Sequence, residues 1–186
     1  MNTVYTIGHS TRSAEGFREL LAQHGIELLI DVRRFPGSRR YPHFGAEALA
    51  NSLVQVAAQY VHEPALGGRR SGTEHSPNAH WRNASFRAFA DYMATDDFRR
   101  AVDRLIDTAG QQVTAIMCAE AVPWRCHRHL ISDALVSRGC EVIHLLGASR
   151  SDPHVLNSHA MVHPDGHIFY PAPERSQREL FHEGSS

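Results

Sequence analysis

"QQVTAIMCAEAVPWRCHRHLISDALVSRGCEVIHLLG", residues 111–147, carries the reading that decides the fold. Its opening part (111–120) contains "VTAIM", apolar at consecutive positions, as a strand covered on both faces requires. Residues 124–139 then place apolar side chains at helical spacing and end at a glycine, which predicts a helix. "EVIHLLG" (141–147) predicts a second strand. Strand, helix and strand in one run argue for α/β architecture with a mainly parallel sheet.

The alternation continues outward in both directions. "TVYTIGHS" (3–10) predicts a strand running into a loop, and "SAEGFRELLAQHG" (13–25) a helix with Phe17, Leu20, Leu21 and His24 on one side. "IELLIDVRRFP" (26–36) is a short apolar run stopped by Pro36. Residues 45–59 read as a helix, 60–68 as a short strand or extended loop, and 85–93 as a helix. Residues 95–110 read as another, with the Thr–Asp–Asp opening of an N-cap and first turn. "HAMVHPDGHIFYP" (159–171) has a Pro-Asp-Gly centre between two apolar runs, so a C-terminal β-hairpin is expected. One α/β domain over 1–150 is therefore expected, with the hairpin and a polar tail (151–186) part of it or packed on it. The histidines of that tail, His154, His159, His163 and His167, are most simply solvated.

Composition bounds the rest. The 186 residues suit one domain with a proper core, and the 42% apolar content is that of a globular protein. No apolar run approaches the roughly 18 residues of a membrane span. "MNTVYTIGHS" lacks the basic and apolar regions of a signal peptide, and three cysteines are too few and too odd in number for a disulfide framework. A cytoplasmic setting away from membranes is the expectation. A net charge of −1 gives no global argument for nucleic acid. All 19 basic residues are arginine, however, and where they sit is more informative than their number.

Ligands of open parallel sheets bind beyond the carboxyl ends of the strands. The first strand ends in Gly8, His9 and Ser10, the second in Asp31, Arg33 and Arg34, and the strand of the quoted stretch in Cys118 and Glu120. Three strands thus deliver polar groups to one edge. Cys126, His127 and Arg128 are expected in the first turn of the following helix, whose free N–H groups suit an anion, with Arg125 and Arg128 reinforcing it. "VRRFPGSRRYPHFG" (32–45) adds four arginines without an acid, interleaved with Phe35, Tyr41 and Phe44, and Arg69, Arg70 and Arg82 follow in loops. Arginine forks pair with phosphate and aromatic rings stack on bases.

Three chemistries fit these residues. Glu120 with Asp31 forms a carboxylate pair working as base or nucleophile while arginines hold an anion. Cys126 can serve as a nucleophile with His127 or His9 as base. Cys118, Cys126 and His127 can ligate a soft metal, although their spacing matches no regular zinc pattern. The carboxylates are preferred to the thiols, which calls for no cofactor and no metal.

In this order, "TIGHS", "DVRRFPGSRR", "LGG", "WRN…F…YM" and "MCAEAVPWRCHRHLI…G" resemble the family called domain of unknown function 488, from about residue 4 to 146. The resemblance implies importance for Gly8, His9, Ser10, Asp31, Arg33, Pro36, Ser38, Cys118, Glu120, Cys126, His127 and Arg128, the positions that match its motif. Members of that family are sometimes labelled as DNA-repair or iron–sulfur-assembly proteins. The leading expectation is an enzyme, a hydrolase or glycosidase-like transferase, acting on a nucleic acid or nucleotide. Glu120, Asp31 and His9 would do the chemistry, cleaving a glycosidic or phosphoester bond. Gly8, Ser10, Arg33, Ser38, Arg39, Arg69, Arg125, Cys126, His127 and Arg128 would hold the substrate. The alternatives are a non-catalytic nucleic-acid-binding module and a thiol or metal protein built on Cys118, Cys126 and His127.

Overall fold

The computed structural model describes residues 1–172; the last part of the expected polar tail, 173–186, lies outside the described residues. Strands β1 (Thr3–Gly8), β2 (Leu28–Asp31), β3 (Gln59–His62), β4 (Thr114–Cys118), β5 (Glu141–Gly147) and β6 (Arg150–Pro153) form one sheet in the order β3-β2-β4-β1-β5-β6. The first five are parallel, and β6 returns antiparallel to β5. β7 (Met161–Val162) and β8 (Ile168–Phe169) pair as the expected small hairpin. Helices α1 (Ala14–Gln23), α2 (Ala46–Leu53), α3 (Ala84–Met93), α4 (Asp96–Ala109) and α5 (Arg128–Ser137) complete an α/β fold. None of these helices is long and apolar enough to cross a membrane.

The central strands are apolar throughout because both faces are covered. Every residue of "LLID" in β2 and "TAIMC" in β4 is buried. On one face Phe17, Leu20 and Leu21 of α1 pack with Leu49 and Leu53 of α2 and with Phe44. On the other, Phe89 of α3, Phe98 and Leu105 of α4 and Leu130 and Ile131 of α5 pack with Tyr170. Local signals start the helices: Ser13 caps α1, Asn83 caps α3, and Thr95 caps α4 ahead of Asp96 and Asp97.

This topology positions the site. From β1 the chain crosses through α1 toward β2; from β4 it crosses through α5 to β5, on the other face. β1 and β4 are neighbours, so the connections diverge at their carboxyl ends and open a crevice there.

Two expectations are corrected. The helix of the quoted stretch begins at Arg128 and not near Trp124. Pro123–Arg125 form a separate 3-10 turn, Cys126 is extended (φ −133°, ψ 148°), and His127 is the N-cap. Cys126 and His127 thus lie ahead of the helix, because their side chains have partners on other elements and tertiary contacts override the local pattern. His154 is not solvated either: its side chain is 2% exposed.

His154 belongs to a buried chain of hydrogen bonds. Asp133 of α5 accepts from Tyr170 (2.7 Å), from the Asn157 amide (3.0 Å) and from His154 Nε2 (2.8 Å). With that proton on Nε2, His154 accepts at Nδ1 from His144 Nε2 (2.9 Å), and His144 Nδ1 accepts from Thr6 Oγ1 (2.7 Å). Thr6 in turn accepts from Arg128 Nη1 (3.3 Å). The residues after β6 are thereby tied through the sheet to the first residue of α5.

Candidate active site

A cleft of about 840 Å³ opens where β1 and β4 diverge. The β1 loop (His9, Ser10, Thr11), the arginine loop (Arg33, Arg34, Phe35, Ser38, Arg40, Tyr41), Gly68 and Arg69, and the β4 loop (Cys118, Glu120) with His127 all line it. Its volume is that of a small-molecule site, large enough for a nucleotide.

The backbone is drawn tight around it. A Cβ on Gly8 would lie 1.8 Å from the Glu120 carbonyl oxygen, so only glycine lets β1 approach the β4 loop this closely. His9 and Ser10 amides donate to the Cys118 and Ala119 carbonyls, at 2.9 Å each. Ser10 (φ 48°) and Arg69 (φ 58°) hold the left-handed conformation, uncommon for residues with side chains and concentrated at functional sites.

Asp31 and Arg33 form a fully built pair beneath the cleft. Asp31 is 0% exposed and accepts from Arg33 Nε (2.9 Å), Arg33 Nη2 (2.6 Å), the Arg33 amide (3.0 Å) and Tyr60 Oη (2.8 Å). Burial first, then the adjacent carboxylate, push the Tyr60 hydroxyl well above its ordinary range, so it stays a donor. Arg33 Nη2 also donates to the Phe44 carbonyl (2.8 Å). Its Nη1 faces His9 Nε2 at 3.4 Å. That donor assigns the tautomer: His9 accepts at Nε2 and donates from Nδ1 to the Ser10 carbonyl (3.0 Å).

Burial, reinforced by the Arg33 charge, depresses His9 to about 4, and the ring stacks on Phe44 at 4.3 Å. His144 is depressed to about 3, first by burial and then by His154 and Arg128. Both are neutral at pH 7. Lowered values in the folded state mean that the unfolded chain takes up protons first, from pH 6.5 downward. The stability these rings contribute is complete above pH 6.5 and is lost as pH falls through about 4 and about 3. Solvent at the open cleft screens His9, so the combined loss between pH 6.5 and 5 is on the order of 1 kcal/mol. Urea midpoints at pH 7, 6 and 5 check it; a His9→Gln, His144→Gln variant should flatten the slope.

The thiols meet at the floor. Ligand atoms of Cys118, Cys126 and His127 all lie within 4.8 Å of one another, close enough for these three to hold a metal ion together. The Cys118 thiol donates to Cys126 and thereby holds Cys126 well below the ordinary thiol range, with His127 and Arg128 adding to the effect against burial; Cys118 is raised in return. Arg128 is 1% exposed and donates to the Glu120 carbonyl at 2.5 Å.

Of the expected catalytic residues, His9 and Glu120 line the cleft and Asp31 lies behind Arg33. Of the expected binding residues, Ser10, Arg33, Ser38, Arg69 and His127 line it. Gly8 shapes its wall, and Cys126 and Arg128 are buried beneath it. Arg39 and Arg125 are exposed and outside the lining; Arg34, expected at this edge though not named as a binding residue, and Arg40, not singled out before, are within it. The signal for both was the Arg-Arg doublets, whose register across the cleft depends on the path of the loop.

No curated protein and no solved structure matches the chain. The family described as Domain of unknown function DUF488 matches residues 13–135, roughly two thirds of it. That span begins after β1 and ends within α5, and every cleft-lining residue except those of the β1 loop falls inside it. On the strength of that match, the chain belongs to the family described as Domain of unknown function DUF488.

Proposed function

We propose that the chain is an enzyme acting on a phosphate-bearing substrate, a nucleotide or a nucleotide unit of a nucleic acid, in the cleft between β1 and β4. One observation carries the reading: the cleft gathers uncompensated positive charge. Among the described residues, Arg34, Arg40 and Arg69 have no carboxylate partner, whereas Arg99, Arg100, Arg104 and Arg138 on or beside the helices are each paired with one. Unpaired arginines also lie outside the cleft, Arg39, Arg82 and Arg125 among them, but three that converge on one concave, strained wall are placed for an anion. Phe35, 66% exposed at the rim, and Tyr41, with Arg40 over its ring at 5.5 Å, offer faces for a base.

In this reading Arg34, Arg40 and Arg69 hold phosphate, and Ser10 and Ser38 add hydroxyl donors. Asp31 is the positioning partner that fixes Arg33. Neutral His9, with both ring nitrogens engaged, orients the Ser10 loop. Glu120 is the cleft's one carboxylate among the described residues and takes the acid–base role in cleaving a glycosidic or phosphoester bond. A cytoplasmic role in nucleic-acid repair or nucleotide metabolism is consistent with that chemistry. A binding module without catalysis would need the same arginines but not Glu120.

The test is equilibrium binding of single- and double-stranded DNA and RNA and of nucleoside monophosphates at several salt concentrations. Binding should weaken as salt rises, with a duplex slope near −0.9 per phosphate contacted. A volume suited to one nucleotide predicts a small slope, equivalent to about one to three phosphates. Absence of binding at low salt to every member of the panel would sink the reading.

A further inference from the structure

We propose that Cys118, Cys126 and His127 form a zinc site at the floor of the cleft, with three protein ligands and a fourth position open to the cavity. The role of that open position rests on the cleft being the substrate site; the metal site itself does not.

The distances suit the ion. Cys126 Sγ and His127 Nδ1 are 3.6 Å apart. Zinc bound tetrahedrally at about 2.3 Å from sulfur and 2.0–2.1 Å from nitrogen needs an N···S separation of about 3.5 Å. Cys118 Sγ lies within the same 4.8 Å group and closes the triangle by a small adjustment. Thiolates with an imidazole select zinc over the hard cations magnesium and calcium.

The imidazole is oriented as a metal ligand. Val32 offers a carbonyl 3.0 Å from His127 Nε2, so the ring donates there and keeps its Nδ1 lone pair turned toward Cys126. A ligating histidine whose other nitrogen donates to a backbone carbonyl is the usual outer-shell arrangement. Gly68 packs over the ring, where a Cβ would lie 2.9 Å from Nδ1, so a side chain at 68 would crowd the ligand.

Charge balance adds an independent observation. Arg128 is 1% exposed, has no carboxylate partner among the described residues, and leaves its Nε without a hydrogen bond. Its charge acts on both thiols. Two thiolates neutralise a zinc ion, and one further anionic oxygen in the fourth position leaves a net −1, which Arg128 offsets. The buried cation thus favours an anion on the metal. Cys118 and His127 line the cleft and Cys126 lies behind them, so the open position faces the cavity where Glu120 stands. Zinc there supplies Lewis acidity to a phosphate oxygen or a water.

The experiment uses the full chain purified without a histidine tag under reducing conditions. Elemental analysis should find about one zinc per chain. Chelator-treated protein given cobalt(II) should show thiolate-to-cobalt charge-transfer absorption, which Cys118→Ser and Cys126→Ser each reduce by about half or more, with one of two thiolates gone, and Cys140→Ser keeps. Should the first two variants fail to fold, the rates of thiol modification in the native chain decide: all three cysteines are buried, and a chelator should speed the reaction of Cys118 and Cys126 while leaving that of Cys140 unchanged. No zinc above the buffer background together with no cobalt absorption would overturn the site, as would absorption undiminished in folded Cys126→Ser. Nucleotide binding to the chelator-treated protein keeps the two readings apart. Binding without any metal uptake overturns the zinc site and leaves the arginine cleft standing, and metal without nucleotide binding does the reverse.

Discussion

Asp31→Ala should destabilise the chain by about 3–5 kcal/mol, the range for breaking a buried ion pair from one side. At this chain length each kcal/mol moves the melting temperature by roughly 2–4 °C, so a fall on the order of 10 °C is expected. The cost follows from how completely Asp31 is used. Four donors converge on a carboxylate that is 0% exposed. Removing it strands the Arg33 guanidinium at 6% exposure and leaves the Tyr60 hydroxyl without its acceptor. Arg33→Met added to Asp31→Ala should recover part of the loss, since deleting both partners removes the uncompensated charge. Urea denaturation of the two variants measures this. A loss below about 1 kcal/mol for Asp31→Ala would mean that Arg33 turns into the cleft and is hydrated there, against the positioning role assigned to the pair.

Glu120→Gln should lower turnover by about 10²–10⁴-fold, the usual contribution of a positioned acid or base. Binding should hold or tighten, because the substitution removes the negative charge that opposes an anion among Arg34, Arg40 and Arg69. Glu120 is exposed, and among the described residues no side chain pairs with its carboxylate, so the fold has little invested in its charge. The Arg128 guanidinium grips the Glu120 carbonyl, which glutamine retains. Rate and affinity are to be measured together on the phosphate-bearing ligand that binds best. Parallel loss of both would assign Glu120 to structure, and unchanged turnover would remove it from the chemistry.

The convergence of chemistry at one sheet edge was legible because it follows from topology: parallel strands share their carboxyl ends, and the residues just beyond them meet. Gly8–Ser10, Asp31–Arg33 and Cys118–Glu120 were placed correctly at that edge for this reason. The pairing of Asp31 with Arg33 also had a signal, since residues two apart on an extended chain face the same side. It competed with the idea that both carboxylates face the substrate. The start of α5 was not legible. Its helical pattern extends back through Trp124, and what stops the helix at Arg128 is the engagement of Cys126 and His127 with residues far away in sequence. The same holds for His154, whose partners Asp133 and His144 are on other elements and which reads locally as one more polar residue of the tail. The left-handed Ser10 and Arg69 carry no marker, because glycine is the residue that usually announces that conformation.

The central claim is that the cleft's unpaired arginines hold phosphate. It is tested most directly by comparing two double variants in binding a 5′-phosphorylated single-stranded oligonucleotide. Arg34→Ala with Arg40→Ala removes two cleft cations; Arg99→Ala with Arg100→Ala removes two cations already paired with Asp96 and Asp97 on α4. Net charge changes equally in both. A charge-assisted hydrogen bond is worth about 1.5–3 kcal/mol, so the cleft pair should lose roughly tenfold or more per arginine, with a shallower salt dependence, while the helix pair stays within about twofold. Equal losses in the two variants would reduce the binding to overall charge and contradict the assignment of the cleft.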